Sequence, residues 1–72
     1  MKLNLCDYEP KDVIRIIREW TELTQKEFGK SINKAERTIQ DYESGKCRYY
    51  IDTLYDIAKV HNVEIIISKK IE

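Results

Sequence analysis

Glycine, histidine, cysteine and proline are all scarce in this chain, and each scarcity removes a class of chemistry. There are two glycines and one histidine in 72 residues. With no glycine-rich phosphate loop and His61 standing alone, no nucleophile–base–acid set can be assembled. The carboxylates are spread over helical patterns, where solvated charge is the default. An enzyme is not expected. Cys6 and Cys47 lie far apart and no signal peptide is evident. Two free thiols in a reducing cytoplasm are therefore expected, rather than a disulfide framework or a redox switch. Cys6, Cys47 and His61 lack zinc-type spacing, so no metal and no cofactor is expected. No apolar run reaches membrane-spanning length, and repeats, low-complexity tracts and linkers are absent.

An excess of charge is missing too. Thirteen basic residues balance thirteen acidic ones, and the pI is near 6.6. That balance does not by itself point to nucleic acid. Seventy-two residues make one domain, 1–72. Such a chain buries only about 60% of its unfolded surface, so a partner subunit would help it.

What is present is organised around Leu23 to Gly45. Thr24 is a good N-cap and Glu27 follows three residues later, which fits a capping box. Phe28 and Ile32 then recur at i and i+4 on one face. Asn33 tolerates the left-handed conformation needed where a helix stops. A second helical pattern begins at once. Ala35, Ile39 and Tyr42 share one face, while Glu36, Arg37, Gln40 and Asp41 share the other. Ser44-Gly45 ends it. Between Thr24 and Tyr50, six bases (Lys26, Lys30, Lys34, Arg37, Lys46, Arg48) face four acids, a local net of +2.

With Thr24-Gln25 as opener, Gly29, a turn residue at Asn33, Ile39 and Tyr42 three apart, and Glu43-Ser44-Gly45-Lys46 as ending, the chain resembles the lambda-repressor-like, Cro-type helix-turn-helix family of bacterial and phage regulators. The resemblance covers roughly 13 to 63. Gly29 falls where two helices cross closely. Three positions depart from the family pattern: Asn33 stands for the usual Gly, Lys34 for an apolar residue, and Ala35 for a capping Ser or Thr. The resemblance implies a helix-turn-helix at 25–44 and a recognition helix at about 36–43 in the DNA major groove. It also implies a semi-buried ion pair between Arg18 and Glu43, with a structural role.

Met1 to Leu5 alternates as a short strand with one apolar face. Pro10 can start a helix but not sit inside one. Helix 1 runs from about Lys11 to Thr21, with Val13, Ile17 and Trp20 as its core face and Ile14 and Ile16 widening it. A loop, Lys46-Cys47-Arg48-Tyr49-Tyr50, interleaves bases and aromatics. Its tyrosines either cover the core edge or help Lys46 and Arg48 hold phosphate. Helix 4 spans about Ile51 to His61, with Ile51, Leu54, Ile57 and Ala58 as its stripe and Asn62 as a left-handed stop. His61 near the helix end suits the dipole better than a metal. From 63 to 71 three consecutive isoleucines favour a strand, where the resembled family often has a helix. That strand needs a partner: Met1 to Leu5, or its own copy in a second subunit.

The expected fold is mainly α, a compact four-helix lambda-repressor-like domain. Short terminal strands are expected at 1–5 and 63–69, the C-terminal one pairing in a dimer. The expected function is a sequence-specific, double-stranded-DNA-binding regulator of transcription, homodimeric and cytoplasmic. The alternative is an interaction module, the antitoxin of a toxin–antitoxin pair that also binds its operator. By the resemblance, Gln25, Glu36, Arg37, Gln40 and Asp41 face DNA. Lys34, Lys46 and Arg48 join them as candidate contacts.

Overall fold

A computed structural model of the chain describes residues 1–67. In order, the elements are β1 (Lys2–Asn4), a 3₁₀ turn (Leu5–Asp7), α1 (Pro10–Thr21), α2 (Gln25–Ser31), α3 (Glu36–Ser44), α4 (Ile51–His61) and β2 (Glu64–Ile66). The expected strand range to 69 and the reading of 63–71 extend beyond the described residues.

Each helix begins and ends where local chemistry allows. Pro10 takes the first position of α1, where its missing N–H costs nothing. Three non-glycine residues adopt left-handed backbone: Glu22 after α1, Asn33 in the α2–α3 turn and Asn62 after α4. Asn bears that conformation well. Gly45 closes α3 at φ 83°.

The core takes residues from β1 and all four helices. Leu3 comes from β1; Val13, Ile14 and Ile17 from α1; Phe28 from α2, with Ile32 just after it; Ile39 and Tyr42 from α3; Leu54 and Ile57 from α4; and Val63 precedes β2. The two strands pair in parallel, Lys2 with Glu64, Leu3 with Ile65 and Asn4 with Ile66. β2 therefore finds its partner within the chain, the first of its two expected options.

Three core expectations need correction. Trp20 is 42% exposed. At 3.6 residues per turn the buried stripe of Val13, Ile14 and Ile17 continues through half-buried Thr21 instead. Ile51 is exposed, because the buried stripe of α4 runs through Thr53, Leu54 and Ile57 and at 3.6 residues per turn Ile51 falls off it. Ala35 is exposed too, as the N-cap residue outside α3.

Candidate nucleic-acid interface

α2 and α3 form a tight corner. Thr24 caps α2 through its hydroxyl, which accepts the Glu27 N–H at 3.1 Å, while the Thr24 N–H donates to the Glu27 carboxylate at 3.0 Å. The Thr24 N–H foremost, with the Thr24 hydroxyl second, holds the Glu27 carboxyl below its ordinary value. At the turn, the Lys34 N–H donates to the Gly29 carbonyl at 2.7 Å. Gly29 is buried, and a Cβ there would lie 2.6 Å from the Lys34 carbonyl oxygen and 3.1 Å from Ile39. The missing side chain is what lets α3 sit this close to α2.

α3 is anchored from behind by Glu43. Arg18 of α1 donates to it twice, from Nε at 2.7 Å and Nη2 at 3.0 Å, and Gln25 of α2 donates at 3.2 Å. Arg18 also reaches the Leu23 carbonyl at 3.2 Å. The hydrogen bond to Glu43 raises the Arg18 pKa further. One carboxylate thus ties the first three helices together.

With its inner face held, α3 turns Glu36, Arg37 and Gln40 outward to solvent. Ala35 gives the helix no side-chain cap. Asp41 is half-buried: its carboxylate meets Arg37 at 3.3 Å. Its backbone carbonyl accepts from Cys47 N–H and the Ser44 hydroxyl, each at 3.2 Å. Asp41 is therefore also a post for the loop after α3. Of the expected contact residues, Glu36, Arg37, Gln40, Lys46 and Arg48 are exposed. Lys34 is half-buried in the turn. Gln25 has one amide N–H committed to Glu43 and retains the second.

The loop tyrosines divide. The Tyr49 hydroxyl donates to the Pro10 carbonyl, and its ring meets Tyr42 edge-on at 5.3 Å. Burial pushes its pKa up. Tyr49 therefore covers the core edge, whereas Tyr50 is fully in solvent.

Charge is distributed unevenly. Lys2, Lys11, Arg15, Arg18 and Arg37 all pair with carboxylates. Lys26, Lys30, Lys34, Lys46 and Arg48, all in α2, the turn and the loop, have no ion-pair partner among the described residues. Among the described residues, Lys59 is the one such side chain outside them. Most of the uncommitted basic side chains among the described residues thus lie in the segments next to α3 in sequence. Lys26, Lys30, Lys34, Lys46 and Arg48 are also the candidate phosphate contacts that the sequence offers, although sequence alone does not separate paired from unpaired bases.

The helix-turn-helix family model, of the lambda-repressor-like Cro type, matches residues 14–67. The chain belongs to the helix-turn-helix family. It is a DNA-binding regulatory family, not a family of enzymes. Comparisons with curated proteins and with solved structures returned no match. Cys6 and Cys47 are both exposed. Among the described residues no helix is long and apolar enough to cross a membrane.

His61 corrects a further expectation. It lies in the last turn of α4, where the dipole favours a charged ring. Yet its ring stacks on Phe28 at 5.0 Å, and burial lowers its pKa. Packing rather than charge holds it. The Ser31 hydroxyl donates to the Phe28 carbonyl at 2.6 Å, so its oxygen is left to accept Nε2–H of His61 at 2.8 Å.

Proposed function

We propose that the chain is a sequence-specific regulator of transcription that lays α3 in the major groove of double-stranded DNA as one half of a homodimer. The observation that carries this reading is the outward Glu36–Arg37–Gln40 face of α3 flanked by uncommitted cations. Arg37 reads guanine, whose two acceptors suit a guanidinium. To do so it exchanges its exposed 3.3 Å contact with Asp41 for the base, a small loss because surface pairs contribute little. Gln40 suits adenine and Glu36 the cytosine amine. Glu36 also repels phosphate and so sharpens specificity more than affinity. Lys34, Lys46 and Arg48, with Lys26 and Lys30, grip the backbone, and the free amide N–H of Gln25 joins them. Asp41 positions Arg37 in the unbound protein.

In a homodimer the two α3 helices would sit about 34–36 Å apart, to meet adjacent half-sites on one face of DNA. The test is selection of bound duplexes from a random pool at fixed, moderate salt. An enriched, two-fold-related motif is expected. Recovery of unenriched sequence would remove the sequence-specific reading.

A further inference from the structure

One apolar face takes nothing from α2 or α3. α4 presents Ile51, Tyr55 and Ala58 at i, i+4 and i+7, and Leu5 and Ile67 border the same shallow groove. Ile51, Tyr55 and Ile67 are 57%, 63% and 71% exposed. Large apolar side chains gathered in one place and rimmed by charge mark an interaction surface, whereas isolated ones do not.

The rim has a direction. Asp52 lies in the first turn of α4, Lys59 in its last turn and Asp56 at its midpoint. None of the three has an ion-pair partner among the described residues. Lys59 is three residues from Asp56 and still does not bond it, whereas Arg15 on α1 is held by both Asp12 and Glu19.

We propose that a second copy of the chain docks on this face, its α4 antiparallel to the first across a two-fold axis near Tyr55. A two-fold contact is self-complementary: residue i meets j, and j meets i. Reversing one α4 lays its first turn along the last turn of the other, so that Asp52 faces Lys59 of the partner subunit, twice. A parallel arrangement would set like charges together at both ends. The two ends of α4 are thus complementary to each other, which selects this chain as its own partner. Tyr55 meets its equivalent at the axis, and the interface adds the apolar burial that so short a chain lacks. The inference deepens the proposed function, because the dimer supplies the second recognition helix.

Sedimentation of the full chain over a range of concentrations tests it, with wild type, Tyr55→Lys, Asp52→Lys, Lys59→Asp and the double variant D52K/K59D. Wild type is expected to show a monomer–dimer equilibrium. Tyr55→Lys weakens it about tenfold or more, with helical content unchanged because the side chain is already in solvent. Each charge reversal weakens the dimer, and the double variant recovers much of the loss. A wild type that is monomeric throughout overturns the proposal, and so does a Tyr55→Lys variant that associates normally or a double variant no better than either single one. Binding to duplex DNA is measured on the same samples. Monomeric wild type that binds DNA removes this interface and leaves the DNA reading standing. A Tyr55-dependent dimer that ignores DNA supports the interface and removes the DNA reading.

Discussion

Glu43 accepts both Nε and Nη2 of Arg18, at 2.7 and 3.0 Å, across 25 residues of sequence. The carboxylate side chain is 7% exposed and the guanidinium 20%. Both charges have left most of their water, and each depends on the other. Removing one partner of a buried pair costs about 3–5 kcal/mol, because the other charge is stranded.

Glu43→Ala is therefore expected to lose about 3 kcal/mol, the lower end of that range, since Arg18 keeps a route to solvent. Glu36→Ala deletes the same group from an exposed site and should stay within about 0.5 kcal/mol of wild type. Urea denaturation of both variants measures the difference. Equal midpoints would mean that the pair contributes nothing to holding α3.

Gly29→Ala reverses the usual rule for helices. Alanine in place of glycine inside a helix ordinarily gains about 1 kcal/mol. Here the new Cβ would stand 2.6 Å from a backbone oxygen. That atom belongs to the turn and cannot swing aside like a side-chain end. Overpacking costs of about 1–3 kcal/mol outweigh the propensity gain. Thermal unfolding should show a net loss, and a stabilised variant would contradict the close-crossing account.

Much of this arrangement is legible in the sequence. The capping box at Thr24, the left-handed turn at Asn33, the stop at Gly45 and the Arg18–Glu43 pair all rest on local chemistry or on the family pattern. What is not legible depends on neighbours distant in sequence. Helical phase alone does not tell Trp20 from Thr21 where α1 ends. Whether β2 pairs with β1 depends on where the helices bring the two strands. Asp41 reads as an outward carboxylate on a helical wheel, yet it holds the loop through its carbonyl and Arg37 through its side chain. His61 reads as a helix-end charge until Phe28 is seen beneath it.

That stacking gives a pH dependence. Burial holds His61 below its ordinary value near 6.5. The unfolded chain therefore takes up a proton before the folded one, and stability rises with pH across that interval. The contribution is complete above the unfolded pKa and is lost as pH falls through the folded one. Glu27, also depressed, acts in the same direction in a lower window, below its ordinary value near 4.5. Melting temperatures between about pH 8 and pH 5 should fall on acidification in wild type and fall less in His61→Gln. Parallel curves would dissociate His61 from the effect.

The phosphate grip has a salt signature. Each real contact adds about 0.9 to the slope of log affinity against log salt. Lys46→Ala and Lys30→Ala should each lower the slope by about that amount, whereas Lys2→Ala, at a cation paired with Glu64 away from α3, should leave it unchanged. Affinity that ignores salt in the parent protein would contradict the whole charge argument.

In the proposed function α3 reads sequence through Arg37. Selection from a random duplex pool, run in parallel on wild type and Arg37→Ala at one salt concentration, tests it most directly. Wild type should enrich a motif with a preferred guanine in each half-site. Arg37→Ala should lose preference at that position alone, with affinity for the wild-type site reduced by about 1–3 kcal/mol. The same motif and the same affinity from both proteins would contradict the claim.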